Sequence, residues 1–344
     1  MNEKYTYIVL LNWNGWQDTI ACLDSLFSMT GARFRVVVCD NQSSDNSFER
    51  IDAWSRGELL ADQPDHPRLQ ATMGARSAPV AALKINAEQA LSDSFEFQGE
   101  PLVIIDNLGN LGFAGGNNVG LRFALSQPDM SHVWILNNDT LVEPDCLANM
   151  LARLGDDDNA VCGSMIHFFD NPEIIQAIGG NRFNERTGVA LQSEGRFLRE
   201  DDTYSIESIE KELDYISGCS MLIPRALLER VGLLNDEYFL YYEEIDWFTR
   251  AGPEVKRLIA PDGRIYHREG GSIGSPSERQ SKPSLTADFH IFRSKHLFMR
   301  KFHRANLWGC YLSTGKEAVK RIVRGQFSNA RVVLRVLMGD ALTH

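Results

Sequence analysis

Residues 34–45 read Phe34-Arg35-Val36-Val37-Val38-Cys39-Asp40-Asn41-Gln42-Ser43-Ser44-Asp45. The short β-branched run predicts a buried strand, and the abrupt change to Asp, Asn and Ser predicts a turn at its carboxyl end. The pattern recurs along the chain. Tyr5–Leu11 leads into Asn12 and Asn14, Pro101–Ile105 leads into Asp106-Asn107, and His132–Leu136 leads into Asn137-Asn138-Asp139. Between these runs, apolar residues return at helical spacing over 16–27, 47–54, 114–126 and 145–154. Strands alternating with helices predict an α/β domain built on a mostly parallel sheet with right-handed crossovers. Nearly continuous apolar strands fit burial on both faces. Residues 55–100, with Pro64, Pro67 and Pro79, interrupt the alternation. They read as an insertion holding one weak helix over Val80–Leu91.

In an open α/β sheet, ligands bind outside the carboxyl ends of the strands. The Asp and Asn residues at those ends therefore share one crevice. Turn formation and helix capping account for any one of them. They account less well for the further Asn12, Asn14, Ser43, Ser44, Asp45, Asn117 and Asn118 in the same turns. The glycine-rich stretch from Asn107 to Gly120 opens a helix, so its backbone N–H groups can face a phosphate. It is neither a GxGxxG fingerprint nor a GxxxxGK[ST] loop.

The 344 residues carry a net charge of −11, which argues against nucleic acid as a partner of the whole chain. Six scattered cysteines without CxxC spacing argue against a zinc site or a disulfide framework and fit a reducing cytosol. No leader pattern precedes the first strand, and no apolar run reaches membrane-spanning length. Charge is unevenly placed. Residues 289–344 hold eleven Lys and Arg against two acids, +9, leaving −20 on the rest. Phe292, Leu297, Phe298, Trp308, Val319, Ile322, Val333 and Leu337 are interleaved with those cations. Two readings stand: basic amphipathic helices on an anionic membrane surface, or helices packed on the main domain with a solvated basic face.

Five motifs in order resemble the inverting family 2 glycosyltransferases of GT-A fold. They are Asp40-Asn41-Gln42-Ser43-Ser44-Asp45, Asn110-Leu111-Gly112-Phe113-Ala114-Gly115-Gly116-Asn117-Asn118, Asn137-Asn138-Asp139, Glu243-Glu244-Ile245-Asp246 with Arg250, and His267-Arg268-Glu269-Gly270-Gly271-Ser272. The resemblance spans residues 5–275 apart from 55–100. It implies a GT-A domain over 1–285 and leaves 286–344 as a basic helical C-terminal region. Within the family the chain looks most like the bacterial rhamnosyltransferases, which use dTDP-L-rhamnose in surface polysaccharide and O-antigen synthesis. The partners so implied are a dTDP- or UDP-sugar donor and a glycan or lipid-linked acceptor. The implied location is cytoplasmic, peripheral at the inner face of the plasma membrane.

Sugar transfer needs a nucleotide grip, charge compensation on the leaving diphosphate and a base for the acceptor hydroxyl. Asp40 can accept hydrogen bonds from base or ribose. Asn12 and Asn14 can line that pocket, and Asp106, Asn110 and Asn138 are further nucleotide-binding candidates. Asp139 is the best ligand for Mn²⁺ or Mg²⁺, which take oxygen donors and bridge phosphates. Asn137 stands where the family has Asp and is a neutral ligand. The resemblance adds His267, whose imidazole suits Mn²⁺ better than Mg²⁺. It also places the base at Glu244, where Asp is usual, with Glu243 as runner-up. Asp246 and Arg250, four apart on a helix, read as a structural ion pair. Two other classes stay open: a sugar-nucleotide nucleotidyltransferase, for which Asn12–Trp16 lacks the expected cation, and a non-catalytic nucleotide-sugar-binding module.

Overall fold

The computed structural model describes residues 3–74, 79–92, 94–192, 195–200, 202–268 and 283–339. Its thirteen strands are β1 (Tyr5–Asn12), β2 (Phe34–Asp40), β3 (Ala82–Asn86), β4 (Leu102–Asp106), β5 (Met130–Asn137), β6 (Thr140–Val142), β7 (Ala160–Phe168), β8 (Ile175–Ile178), β9 (Gly180–Asn184), β10 (Val189–Gln192), β11 (Tyr215–Ile216), β12 (Ser220–Pro224) and β13 (Lys256–His267). A large sheet runs β3-β4-β2-β1-β5-β12-β7-β13-β6, with β8 added at β7; β10-β9-β11 make a small second sheet. Pairing among β3, β4, β2, β1 and β5 is parallel, while β12 inserts antiparallel between β5 and β7.

The period of two along each strand divides the core into two layers. Tyr7 and Val9 of β1 join Val37, Cys39, Val103 and Ile105 on one face. Ile8 and Leu10 join Val36, Val38, Leu102 and Ile104 on the other. All of these are fully shielded from solvent. Each such side chain contributes about 1.5–3 kcal/mol, which leaves no face of the central strands open to water. The helix Gly112–Ser126 packs on β1, β2 and β5, and close approach is its requirement: a β-carbon at Gly120 would strike Val9 and Cys39.

The segment 55–100 corrects one expectation. Instead of a helix over Val80–Leu91 there is strand β3, followed by a single helical turn, Ala87–Ala90. β3 forms the parallel edge of the main sheet, with Lys84 bonded to Asp52 at 2.6 Å. A lysine on an edge strand masks the period that would have marked it.

Three helices follow the sheet: Leu285–Phe302, Leu307–Val323 and Phe327–Leu337. The first is docked on the body. Phe298 and Met299 enter its core, Ser294 Oγ donates to the Leu240 carbonyl at 2.8 Å, and Lys301 Nζ donates to Asp246 at 2.8 Å. Asp246 is wholly buried and also takes Arg250 Nε at 2.6 Å, the ion pair expected from the spacing. This packing matches the second reading of the tail for its first helix.

Candidate functional site

The strand order sets five polar strand ends side by side. Asn86, Asp106, Asp40, Asn12 and Asn137 terminate β3, β4, β2, β1 and β5. Register pairs Asn86 with Asp106, Asp106 with Asp40, and Asp40 with Asn12. Residues up to 125 positions apart thus meet along one edge of the sheet.

Its first half is a hydrogen-bonded cluster. Asp40 Oδ1 accepts from Asn12 Nδ2 and Ser43 Oγ, both at 2.6 Å, and Oδ2 accepts from the Ser43 N–H at 2.9 Å. Asn12 Oδ1 accepts from Thr19 Oγ1 at 2.8 Å and from Asn138 Nδ2 at 3.4 Å. Burial pushes the Asp40 carboxyl above its ordinary range, and the Ser43 and Asn12 donors pull it back. Asn14 closes the rim: exposed and in the left-handed region at φ 52°, it accepts from the Ser44 N–H at 2.7 Å. Asp106 and Asn110 stay outside this cluster. Asp106 caps Leu108 N–H at 2.8 Å, while exposed Asn110 receives Gly112 N–H at 3.1 Å and lies 3.4 Å from Asn41 Nδ2.

The second half surrounds Asp139. Its Oδ1 is buried without a hydrogen bond, and His267 Nε2 lies 3.2 Å away. Asn137 Nδ2 is 3.3 Å from the same nitrogen. His267 Nδ1 faces Gln176 Oε1 at 3.0 Å, so Nδ1 is the donor and Nε2 is turned to Asp139. Burial lowers the basicity of His267, but the neighbouring Cys219 and Asp139 outweigh it and hold the imidazole well above its usual value. Among the described residues no group of three or more His, Cys, Asp or Glu side chains is set to hold a metal. Arg268 adds positive charge here, 3.4 Å from Asp18 and 4.1 Å from the centre of the Phe169 ring. Gly270 and Ser272 of the same motif lie outside the described residues.

The carboxylates reach this cluster through a turn. Glu243 and Glu244 open the helix Glu243–Ala251, after Tyr241 and Tyr242 at φ 67° and 74°. Two successive non-glycine residues in the left-handed region are strained, a condition that collects at functional sites. The Glu244 carboxyl carbon would sit 3.9 Å from a β-carbon at Gly218. The next residue, Cys219, accepts Asn137 N–H at its carbonyl at 2.9 Å and is the thiol beside His267. Glu244 thus approaches the Ser217–Cys219 turn, and Asn137, two residues before Asp139, is bonded to it. Glu243 Oε2 and Glu244 Oε2 are both buried without partners. Burial and then the adjacent Glu244 push the Glu243 carboxyl well above its usual range. Burial raises Glu244 too, but backbone N–H groups of Glu244 and Gly218 oppose it. Both carboxyls are thus pushed up, Glu243 by burial and its neighbour, and half-buried Glu244 is the one with backbone N–H groups favouring its charged form.

Two N–H groups of the glycine stretch are engaged within the chain. Gly112 N–H is bonded to Asn110 Oδ1, and Phe113 N–H donates to the Phe239 carbonyl at 2.7 Å, so neither is turned to a phosphate. Gly112 has φ 71°, and a β-carbon there would be driven into the Phe239 carbonyl oxygen. The loop clamps the Tyr238–Tyr242 segment that carries the carboxylates. Gly112→Ala should cost about 2–4 kcal/mol in urea denaturation; a loss below about 1 kcal/mol would contradict that clamp. Tyr238, Tyr242 and Trp247 are buried, so they belong to the core. Thr19 and Gln176 are polar partners that the sequence reading did not single out.

Residues 85–232, less than half of the chain, match Glycosyl transferase family 2. A 154-residue stretch is 29% identical to the low-salt glycan biosynthesis hexosyltransferase of Haloferax volcanii, covering 44% of this chain and 46% of that relative. The chain thus spans about half the length of the curated relative it matches. Two solved structures share its architecture. GalNAc-T7 with UDP, GalNAc and Mn²⁺ superposes with TM-score 0.55 at 13% identity, over 99% of this chain and 57% of that one. The mannosyltransferase PcManGT of Pyrobaculum calidifontis, with GDP-Man and Mn²⁺, gives 0.51 at 14% identity, over 100% and 82%. At these identities the likeness is one of fold. The chain has the GT-A fold, and residues 85–232, which carry the Gly112 loop, the Asn137–Asp139 turn and β12, match the glycosyl transferase family 2 model.

Proposed function

We propose that the chain is an inverting glycosyltransferase that moves a sugar from a nucleotide-diphosphate donor to an acceptor hydroxyl. The observation that carries this reading is a pair of buried carboxylate oxygens without a hydrogen bond, Asp139 Oδ1 beside His267 just past β5 and Glu244 Oε2 on a side chain beside Gly218, just ahead of β12, the strand paired with β5. The Asn12–Asp40–Asn138 cluster, with Asn14, Asp106 and Asn110 at its rim, offers hydrogen bonds to the nucleoside. Asp139 and His267, with the amide of Asn137 beside them, are the residues that would hold a divalent cation. Such a cation offsets the negative charge that builds on the departing diphosphate. Glu244 takes the acceptor's proton as that oxygen attacks C1 of the sugar. The C1–O bond to the diphosphate breaks in the same displacement, and the nucleoside diphosphate leaves with the electron pair. One in-line displacement inverts the anomeric centre.

The family 2 match and the hexosyltransferase relative support the class of reaction. Mn²⁺ in the two solved neighbours supports the choice of cation. For the sugar, L-rhamnose from dTDP-L-rhamnose is our first choice, on the sequence resemblance alone. The acceptor we propose is a glycan or lipid-linked glycan in polysaccharide or O-antigen synthesis.

A panel of dTDP-, UDP- and GDP-sugars, assayed for nucleoside diphosphate release with Mn²⁺ and with chelator, tests the proposal. Release from one donor, dependent on the cation, is expected. Nucleotide binding without release from any donor would assign the crevice to a binding module. Pyrophosphate release from a nucleoside triphosphate and a sugar phosphate would make the chain a nucleotidyltransferase.

A further inference from the structure

The helix Leu307–Val323 turns only Cys310, Thr314 and Ala318 inward. Its outer face is apolar. Trp308 is 80% exposed, Val323 81% and Leu312 65%, with Val319 and Ile322 also open to solvent. At 3.6 residues per turn, Trp308, Leu312, Val319 and Val323 fall within about 60° of one another, with Lys316 and Lys320 along one edge of that arc. A β-carbon at Gly315, on the same arc, would meet nothing within 4 Å. The next helix, Phe327–Leu337, has exposed apolar residues of its own: Phe327 at 68%, Leu334 and, just past its end, Met338. Burial of isolated apolar residues is optional in a protein, but a helix-long stripe left in water is a docking surface.

Its charge selects the occupant. Lys316, Arg324 and Arg331 are exposed and make no ion pair with any described residue. Lys316 lies along the edge of the stripe, Arg324 directly follows its last residue, and Arg331 is on the next helix. The region 289–344 carries +9 on a chain whose remainder carries −20. Two copies meeting stripe to stripe would set these cations against each other. A surface that is apolar beneath and anionic above satisfies both features, and the acidic body would be repelled from it, which fixes orientation. No helix among the described residues is long and apolar enough to cross a membrane.

We propose that the outer face of Leu307–Val323 lies in the interface of an anionic bilayer, with Trp308 and Val323 inserted and Lys316, Arg324 and Arg331 at the headgroups. The proposal is independent of the transfer chemistry, because none of these residues lies at the candidate site.

Co-sedimentation of the full chain with phosphatidylglycerol–phosphatidylcholine vesicles, and with pure phosphatidylcholine vesicles, tests it. Binding to the mixed vesicles alone is expected, weakening as salt rises. Trp308→Ser with Val323→Ser should reduce it at least tenfold, and Lys316→Glu with Arg331→Glu should do the same. Both pairs are exposed, so circular dichroism and donor turnover should stay unchanged, which separates failure here from failure of the proposed reaction. Equal binding by all variants, or no binding at low salt, would overturn the assignment. So would a concentration-dependent dimer that Trp308→Ser abolishes, since the stripe would then belong to a second copy.

Discussion

Glu244→Gln is expected to lower sugar transfer by about 10²–10⁴-fold, the usual contribution of a positioned general base, while leaving donor affinity within a few-fold. The amide keeps the size of the side chain and its approach to the Ser217–Cys219 turn but cannot take a proton. Glu243→Gln should have a far smaller effect, because Glu243 is buried away from the Gly218 turn and burial with the adjacent Glu244 disfavours its charged form. The pH profile carries the same signature. Burial raises the Glu244 carboxyl above the ordinary glutamate range, and the base works only when deprotonated. Transfer should therefore fall as pH falls through that raised value, at a pH above the one an exposed glutamate would give. Stability runs the other way. A carboxyl that keeps its proton in the fold and loses it when unfolded makes the native state bind more protons. Stability should thus decline as pH rises from the ordinary glutamate range through the raised one. Equal losses in the two glutamine variants, or no loss in either, would remove Glu244 from the chemistry.

Asp139→Asn is expected to be about as severe, near 10²–10³-fold in turnover, with loss of stimulation by Mn²⁺. The chain already has a neutral amide at Asn137, so Asp139 is the only carboxylate of that turn. Removing it takes away the carboxylate that lies 3.2 Å from His267 Nε2. The imidazole should then titrate lower than in the parent, since Asp139 is one of the two groups that hold it up. Proton NMR of the His267 ring reports that shift without any assay of transfer. Restoration of an acid by Asn137→Asp in the Asp139→Asn background should recover part of the cation response. An Asp139→Asn variant that turns over normally with Mn²⁺ would exclude the aspartate from the site.

The central sheet was legible because its inner strands are bare β-branched runs, such as Val36-Val37-Val38, that stop at Asp or Asn. Local pattern sufficed there, and the crevice followed from the rule that strand ends share a rim. Edge strand β3 was not legible. Ala82-Leu83-Lys84-Ile85-Asn86 is half-exposed, and its lysine answers to Asp52, a neighbour known only once the sheet is assembled. The glycine motif was legible as a place of close approach, but not as to what approaches. Gly112 and Gly116 meet the Phe239 carbonyl and Asn41, both within the chain. Gln176 gave no signal at all: it lies 91 residues from His267 and reaches it only through the β7–β8 pairing. The tail showed its amphipathic period in sequence. Which apolar faces stay bare depends on the docking of Leu285–Phe302, held by Lys301 on Asp246 and Ser294 on Leu240.

The account rests on Asp40, Asn12, Asn138, Asp139 and His267 forming one pocket for a nucleoside diphosphate and its cation. Calorimetric titration of dTDP, UDP and GDP, each with and without Mn²⁺, measures this directly. Linkage requires that cation and nucleotide tighten each other by the same factor when they share ligands. We expect one nucleotide to bind at least tenfold more tightly with Mn²⁺, and that gain to vanish in both Asp139→Asn and His267→Ala while Asp40→Ala weakens binding with or without the metal. Nucleotide affinity indifferent to Mn²⁺ in the parent chain, or a gain that survives both ligand variants, would contradict it.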